Sequence, residues 1–494
     1  MFWLFTIFGV LASWAASPLD LAVDRIDRLY LHRAEVDEAS LLRSAARELS
    51  GRVHWLAVEA EGPQVVLRHG DGRGLGTVAV RDMADLPRAL RDMADRVAAV
   101  EPASPETAPD LLEEALLVGV ARGLDRYSRV LVGRRIDGFS VRLTGTESGV
   151  GVTLGMRDGG VQIDGLVEDG PADRAELEVG DRLVTIDGGS VESTRDAHDR
   201  LRGATGSMVL VTVDGAAGSR AVTLRRERVV MPNVQHRILP GGVGYVHIEH
   251  VSQRTVYNLR RSLDQLRRAG ALKRGLVVDL RDNTGGSMKE AARVADLFVS
   301  DGLLLRTAGR DGGPIENLQH EMRATRQADD LDLPVVIVVN GRTASGAEIL
   351  TGALVEHGRA AVVGQRTWGK GTVQKPLALG DGLQLNLTVA HYVLHNERRI
   401  TTAGIVPDVW VGHAEADAAG LDFRRWPAAG MSWDEVVPAV GDYGDAEVEL
   451  ARRAVLAAAE QPKAVRAHRA TVLGALRDHG AAMRREGLAA LEAM

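Results

Sequence analysis

A serine and a lysine 25 residues apart are the side chains of this sequence best suited to act together. Ser345 follows the apolar run PVVIVV and a turn of small residues, and it precedes the helical stretch AEILTGALVEHG. This pattern predicts that Ser345 lies in the first turn of a helix, where backbone N–H groups lack intrahelical partners. Such groups can bind the oxyanion that forms when a hydroxyl attacks a peptide carbonyl. The simpler interpretation is a helix N-cap, a role that serine commonly fills.

Lys370 lies in the stretch GQRTWGKGT, whose first seven positions match a phosphate-binding P-loop. A P-loop requires Ser or Thr directly after the lysine and a helix that begins there. Here Gly371 follows the lysine, and the next residues, TVQKPLALGDGLQLNLTVAHYVL, alternate like strands. The sequence therefore does not favour a nucleotide site.

Lys370 can instead serve as a base. In a strand that starts at Lys370, Gln374 projects from the same face and could orient the amine. Burial in an apolar pocket disfavours the ammonium, and a neutral amine can take the proton of Ser345 and return it to a leaving amine. Gly369 and Gly371 would let other backbone approach the lysine closely. The alternative is an ordinary solvated lysine.

A third segment, DLRDNTGG, predicts a strand that ends in a glycine turn before a helix. The amides of Gly285 and Gly286 would then lie at the carboxyl edge of a sheet, where ligands of such sheets bind. An ordinary strand-to-helix connection explains the same pattern.

Other patterns are weaker candidates. Ser345 lacks the flanking glycines of a GxSxG nucleophile elbow, since Thr343 and Ala347 occupy those positions. In HIEH, at residues 247–250, alternation along a strand separates His250 from His247 and Glu249, so we expect no metal site. The glycine run at residues 70–76 lacks GxGxxG spacing and predicts a hairpin.

These groups must be positioned by a mixed α/β chain. From Gly242 onwards strand and helix patterns alternate, which predicts a parallel sheet covered by helices. From Gly149 to about Glu227 short β-prone runs with Gly and Asp turns predict a compact, mainly β module. The N-terminal region and the tail show helical spacing, and the tail's apolar stripe is of a kind that most often packs against a neighbouring element and less often forms a dimer seam. That stripe consists of Val465, Val472, Leu476 and Met483.

Bulk properties narrow the class of protein. The chain of 494 residues allows roughly two to four domains. Its net charge of −7 offers no basic field for nucleic acid, and the absence of cysteine permits an oxidising compartment without requiring one. The first seventeen residues carry no charged side chain, which indicates a signal peptide or, if uncleaved, a membrane anchor, although a positive n-region is missing.

Together these segments resemble the C-terminal processing peptidases, or tail-specific proteases, which are serine peptidases with a Ser-Lys dyad. The resemblance extends from about Leu111 to Val411 and rests on DLRDNTGG, VNGRTASGAEILTGALVEHGRAAVVGQRTWGKGTVQ and TTAGIVPDV. It implies that Ser345 is the nucleophile, Lys370 the base and Gln374 the residue that positions the base. It also implies an oxyanion hole formed by the amides of Gly286 and Gly346.

The β module resembles a PDZ domain, which captures a chain terminus as an added strand. SGVGVTLG is similar to the carboxylate-binding loop, so the resemblance implies that Gly149, Val150, Gly151 and Val152 receive the peptide. The chain departs from the family's usual pattern at Thr284, where proline is usual, at Glu176, where glycine is usual, and in LHNERRI. None of these departures removes the nucleophile or the base.

The expected fold is α/β, with a crotonase-like (ClpP/crotonase) catalytic core, a PDZ domain and helical N- and C-terminal regions. The expected function is an exported endopeptidase, periplasmic or attached to the membrane facing the periplasm, that needs no cofactor or metal and acts on proteins with exposed C-termini. An adaptor partner and self-association stay open, and the rival functions are an inactive PDZ adaptor and a crotonase-fold acyl-thioester enzyme. The expected segments are an export segment (1–17), an N-terminal region with a β-hairpin (18–144), the PDZ domain (145–228), the catalytic core (229–415) and a helical extension (416–494).

Overall fold

The computed structural model describes residues 17–216, 218–310, 321–326, 331–380, 382–411, 446–461 and 469–475. Residues 1–16 of the expected export segment lie outside the described residues, as does much of the expected C-terminal extension. The chain divides into two compact units, each described by itself below. Unit 1 comprises Met1–Asp137, Thr307–Leu318 and Thr372–His391, and unit 2 comprises Gly138–Arg306, Gln319–Gly371 and Tyr392–Met494.

The helices and strands of the described residues are numbered in chain order. The α-helices are α1 (Pro18–Leu29), α2 (Glu38–Arg52), α3 (Leu86–Ala98), α4 (Pro109–Leu124), α5 (Arg134–Thr144), α6 (Pro171–Arg174), α7 (Thr194–Leu201), α8 (Thr255–Arg268), α9 (Met288–Ala295), α10 (Gly346–Glu356) and α11 (Ala446–Ala459). The strands are β1 (Leu56–Glu61), β2 (Gln64–His69), β3 (Gly74–Ala79), β4 (Arg129–Val132), β5 (Thr146–Gly149), β6 (Val152–Arg157), β7 (Gly160–Leu166), β8 (Arg182–Ile186), β9 (Gly189–Ser190), β10 (Met208–Gly215), β11 (Gly218–Arg225), β12 (Glu227–Val230), β13 (Val234–Leu239), β14 (Val243–Ile248), β15 (Leu276–Asp279), β16 (Leu303–Ala308), β17 (Glu321–Arg323), β18 (Val335–Val339), β19 (Ala361–Gly364), β20 (Thr372–Gly380), β21 (Leu383–Val393) and β22 (Val409–Trp410).

Unit 1 combines the N-terminal helices with two groups of antiparallel strands. Ser17 and Asp37 cap α1 and α2, because each side chain accepts a hydrogen bond from a backbone N–H of the first turn. β2 and β3 pair antiparallel around the glycine-rich loop, as the sequence predicts. β20 and β21 also pair antiparallel, and β4 lies on the other side of β21.

The mainly β module belongs to unit 2. Its antiparallel sheet has the order β11-β10-β8-β7-β6, so β6 is an edge strand, and α7 packs near it. Its core buries aliphatic side chains, among them Val152, Ile163, Ile186 and Val211. Each such side chain removed from water stabilises the module by roughly 1.5–3 kcal/mol.

The larger sheet of unit 2 has the order β13-β14-β15-β18-β19-β22. β14, β15, β18, β19 and β22 are parallel, and β13 is an antiparallel edge strand. β15, β18 and β19 are buried throughout, as expected for strands with both faces covered. This confirms the parallel sheet predicted from the alternating pattern, and it brings the loops after β15, β18 and β19 to one edge.

The described part of the tail packs against this sheet. In α11, Leu450, Ala451, Ala454 and Val455 are fully buried in the cluster that covers β15 and β18, and Val472 is buried in the same cluster. At Val472 the apolar stripe is therefore a packing contact, and the other three stripe residues lie outside the described residues. Of the helices in the described ranges, none is both long and apolar enough to cross a bilayer.

Candidate active site

Ser345 lies at the start of α10, six residues after β18 ends. Its backbone has φ 55° and ψ −114°, a left-handed conformation that is strained for a residue with a side chain. Strain of this kind persists only where surrounding contacts hold it, and it often marks functional turns. A sharp turn therefore forms at the serine even though the glycines of the GxSxG motif are absent. The side chains of Ile349, Leu350, Ala353 and Leu354 are buried and anchor the helix.

Glu348, one turn into α10, connects the serine turn to the lysine loop. Its side chain is fully buried, and its Oε2 accepts hydrogen bonds of 2.8 Å from the backbone N–H groups of both Ser345 and Lys370. Its Oε1 accepts from the N–H of Gly369 at 2.7 Å and from the hydroxyl of Thr367. Several such donors compensate a buried carboxyl group for the water it has lost. One side chain thus fixes the main chain of both predicted dyad residues.

Lys370 is half-buried and precedes β20, which begins at Thr372. A strand rather than a helix follows the lysine, in agreement with the argument against a P-loop. The flanking glycines do admit other backbone, as predicted: a Cβ on Gly371 would overlap the carbonyl oxygen of Ile400, and Gly369, at φ 87°, lies against Thr401. The segment after β21, rather than the serine turn, is the backbone that these glycines accommodate.

The glycine turn after β15 packs directly on the serine turn. The backbone nitrogen of Gly286 lies 3.2 Å from the position that a Cβ on Gly346 would occupy. Gly286 has φ 142°, and any Cβ there would overlap the carbonyl oxygen of Val251. The side chain of Asn283 holds the turn, accepting from the N–H of Gly285 at 2.9 Å. Because Gly346 is the first residue of α10, its N–H has no partner within the helix.

Gln374 belongs to unit 1, whereas Ser345 and Lys370 belong to unit 2. Its amide nitrogen donates to the hydroxyl of Thr372 at 2.9 Å and to that of Thr388 at 3.3 Å. The side chains of Thr372 and Gln374 therefore meet on one face of β20. The expected role of Gln374 in orienting Lys370 stays a prediction.

The expected peptide-binding residues run from the end of β5 to the start of β6. Gly149 is the last residue of β5, Val150 and Val152 are buried in the module's core, and Gly151 has φ 78°. The carbonyls of Val150 and Gly151 accept hydrogen bonds from Ala172 and Val167, which fixes the loop. Glu176, where glycine is usual, adopts φ 58°, so the fold keeps the left-handed turn with a non-glycine residue.

Tyr392 is a residue near the serine that the sequence does not single out. It is 5% exposed, and its phenol lies close enough to Ser345 for the serine hydroxyl to influence its pKa. Burial raises the pKa of Tyr392 to about 12; the Ser345 side chain opposes this shift and the negative charge of Glu348 adds to it. Forty-seven residues separate Tyr392 from Ser345, and no motif in the sequence connects them.

A polar cavity of about 510 Å³ lies elsewhere in unit 2, at the carboxyl ends of β14 and β15. Its lining includes His247 and the ion pair of buried Asp279 with half-buried Arg281, and Tyr245 donates to Asp279 at 2.8 Å. Within the described residues no predicted site residue lines this cavity, and no group of three His, Asp or Glu side chains is placed to bind a metal ion.

Two family models match the chain: peptidase family S41 over residues 242–411 and a PDZ domain over residues 162–214. The chain is 31% identical over 296 residues to the carboxyl-terminal-processing protease of Picosynechococcus sp., covering 58% of this chain and 69% of that protein. It is 29% identical over 317 residues to the carboxy-terminal-processing protease of Bartonella bacilliformis, covering 62% and 71%.

The chain spans less of some other relatives. The chain spans 57% of the chloroplastic carboxyl-terminal-processing peptidase 3 of Arabidopsis thaliana, at 31% identity over 306 residues and 58% of this chain. Among solved structures, the photosystem II D1 C-terminal processing protease aligns with 80% of this chain and 92% of its own, at 24% identity and a TM-score of 0.42. From the family models and the cyanobacterial relative, the chain belongs to the carboxy-terminal processing proteases of peptidase family S41, a family of serine peptidases with a PDZ domain.

Proposed function

We propose that this protein is an exported serine endopeptidase in which Ser345 is the nucleophile and Lys370 the general base. The observation that carries the proposal is the pair of hydrogen bonds from the backbones of Ser345 and Lys370 to one oxygen of Glu348, each 2.8 Å long. Because that carboxylate is fully buried, water cannot replace the two backbone N–H groups that donate to it, and losing either hydrogen bond has a large free-energy cost. The serine turn and the lysine loop are therefore held as one assembly.

In the proposed mechanism a neutral Lys370 takes the proton of the Ser345 hydroxyl while Oγ attacks the peptide carbonyl. The carbonyl oxygen becomes an oxyanion and accepts hydrogen bonds from the backbone N–H groups of Gly286 and Gly346. The ammonium of Lys370 then protonates the leaving amine, and the C–N bond breaks. Water hydrolyses the acyl-enzyme with Lys370 again acting as base, and Gln374 orients the amine throughout.

The PDZ module is proposed to deliver the substrate. β6 is an edge strand, so an extended peptide can pair with it through main-chain hydrogen bonds. The backbone of Gly149, Val150, Gly151 and Val152 would hold the terminal carboxylate. This arrangement selects proteins with an exposed, apolar C-terminus.

Several broader features belong to the same proposal. The catalytic core is crotonase-like, and the uncharged N-terminal segment directs the protein to the periplasm or anchors it to the membrane facing that space. The mechanism uses no cofactor or metal. Binding of an adaptor protein and self-association are two further interactions to test.

A cleavage assay tests the proposal. An unfolded substrate with an apolar C-terminus is incubated with wild type, Ser345→Ala and Lys370→Ala, and both variants should lose at least about 10³-fold in activity. Ser193→Ala is the matched control for the serine, because Ser193 caps α7. Lys289→Ala is the control for the lysine, because Lys289 is exposed. Both controls should cleave at the wild-type rate.

Cleavage that survives both dyad substitutions would refute the dyad. C-terminal peptide binding without cleavage by wild type would indicate an inactive adaptor. Coenzyme A binding in equilibrium dialysis would instead indicate an acyl-thioester enzyme.

A further inference from the structure

We propose that Thr343, two residues before the nucleophile, is a positioning residue that holds the serine turn against both the glycine turn and the lysine loop. The inference rests on the proposed function, because it deepens the account of the same site. Thr343 occupies the first glycine position of the GxSxG pattern, and the dyad mechanism gives it no role.

The side chain of Thr343 connects the ends of two strands of the parallel sheet. Thr343 is fully buried, and its hydroxyl donates to the carbonyl of Leu280 at 2.8 Å, directly after β15. The same oxygen accepts from the N–H of Asn340 at 3.0 Å, directly after β18. One hydroxyl thus binds both segments that lead from the sheet to the glycine turn and the serine turn.

The carbonyl of Leu280 also belongs to the glycine turn. It accepts from the N–H of Asn283 at 3.2 Å, and the side chain of Asn283 in turn accepts from the N–H of Gly285 at 2.9 Å. The glycine turn and the serine turn are in direct contact, since a Cβ on Gly285 would lie 2.7 Å from the backbone nitrogen of Gly346. Loss of the Thr343 hydroxyl would therefore change the separation of the two turns.

The main chain of Thr343 binds the lysine loop. Its carbonyl accepts from the N–H of Trp368 at 2.9 Å, and Lys370 follows two residues later. Glu348 holds the serine turn and the lysine loop from within α10, whereas Thr343 also reaches the segment before the glycine turn. The three loops that carry the proposed nucleophile, base and oxyanion donors thus meet at one threonine.

The proposed reaction depends on this arrangement. The oxyanion accepts from the N–H groups of Gly286 and Gly346, which lie on different turns, so both donors are aligned only while the turns keep their spacing. A displacement of about 1 Å can reduce a rate about 100-fold. Thr343 would act through the two turns without contacting the substrate. It would affect the transition state, in which the oxyanion forms, more than substrate binding.

The test compares wild type with Thr343→Val and Thr343→Ser in peptide cleavage and in labelling of Ser345 by a fluorophosphonate. Valine keeps the shape of threonine but lacks the hydroxyl, whereas serine keeps the hydroxyl. We expect Thr343→Val to lose about 10- to 100-fold in kcat and in labelling rate, with KM changed less than about 2-fold. Thr343→Ser should cleave and label close to the wild-type rate.

Thr351→Val is the matched control. Thr351 is also a fully buried threonine, and its hydroxyl donates to the carbonyl of Ala347 at 2.8 Å within α10. Because that hydrogen bond does not connect two loops, the control should cleave and label at the wild-type rate. Thr343→Ala is a second variant without the hydroxyl, and it places no methyl group against the carbonyl of Leu280. It should lose activity as Thr343→Val does, with rates expressed per folded protein from near-UV circular dichroism.

The inference is overturned if Thr343→Val and Thr343→Ala label as fast as Thr351→Val. Equal losses in Thr343→Ser and Thr343→Val would also overturn it, because the hydroxyl would then be unimportant, and so would a rise in KM without a fall in kcat. Failure of the dyad appears separately, as activity that survives Ser345→Ala. Loss of activity in Ser345→Ala together with a fully active Thr343→Val would reject only the role of the threonine.

Discussion

Glu348 accepts a hydrogen bond of 2.8 Å from the backbone N–H of Lys370, although 22 residues separate the two in the chain. The same carboxylate oxygen binds the N–H of Ser345. The position of the proposed base relative to the proposed nucleophile therefore depends on a side chain that takes no part in the chemistry.

Replacing Glu348 with glutamine should damage both stability and activity. The amide keeps one acceptor oxygen and places an NH₂ group against two buried donors, each of which costs about 1–3 kcal/mol when unsatisfied. We expect a loss of about 2–4 kcal/mol in the free energy of unfolding and at least about 100-fold in kcat, measured by denaturant unfolding and peptide cleavage.

The matched control for Glu348 is Glu356→Gln. Glu356 is the last residue of the same helix, and its carboxylate pairs with Arg398 near the surface. That change should cost less than about 1 kcal/mol. Equal losses in the two variants would contradict a special role for Glu348.

Gly371→Ala should displace the lysine loop. A Cβ at this position overlaps the carbonyl oxygen of Ile400, which belongs to main chain and cannot rotate away. Overpacking of this kind typically costs about 1–3 kcal/mol, and we expect peptide cleavage to fall with it. Gly51→Ala in α2 is the control: a Cβ there meets open space, so the variant should be more stable than wild type by up to about 1 kcal/mol. A fully active, stable Gly371→Ala would show that the contact with Ile400 is unimportant.

His357, directly after α10, should make stability depend on pH. Its Nε2–H donates to the carbonyl of Leu303 at 2.7 Å. Burial lowers the pKa of His357; the Leu303 carbonyl partly opposes this shift, and the nearby His395 adds to it. Because the folded-state pKa is the lower one, the unfolded chain takes up its proton first. This contribution is present above about pH 6.5 and is lost as the pH falls toward the folded-state pKa.

The measurement is the melting temperature at pH 8 and pH 5. His357→Gln keeps a donor for Leu303 without the titration, so it should lose less stability on acidification than wild type. His54→Gln should do the opposite, since the carboxylate of Glu106, 2.8 Å away, raises the pKa of His54 and stabilises its charged form at low pH. Parallel curves for all three proteins would contradict both assignments.

Glu176→Gly should stabilise the PDZ module. Glu176 has φ 58°, a conformation that costs a residue with a Cβ roughly 1–2 kcal/mol, while glycine adopts it freely. Glycine also raises the conformational entropy of the unfolded chain, which offsets part of this effect. We expect the free energy of unfolding of the full chain, measured by thermal unfolding, to rise by about 0.5–1 kcal/mol. Glu178→Gly, at an exposed neighbouring position without positive φ, should instead be destabilised by about 0.5–1 kcal/mol. A destabilised Glu176→Gly would show that the glutamate side chain has a compensating contact.

Much of the local structure was predictable. Gly371 and the alternating residues after it predict a strand instead of a P-loop helix, and β20 begins at Thr372. The small residues before AEILTGAL predict a helix at Ser345, and α10 begins at Gly346. The alternation after Gly242 predicts a parallel sheet, and the carboxyl ends of its strands support the serine and glycine turns. These features follow from periodicity and turn chemistry over short stretches of chain.

The sequence by itself determined the residue types, the strand after Lys370 and the helix at Ser345. It also placed glycines in the turn at residues 285–286 and on both sides of Lys370. Only the tertiary structure decided that Glu348 joins the serine turn to the lysine loop, that the main chain of Tyr392 binds Gly371 and that Ile400 is the backbone against Gly371. The physical reason is range. Helix and strand patterns depend on neighbours within a few residues, whereas a buried carboxylate finds its partners among segments tens of residues away, where only packing determines which groups meet.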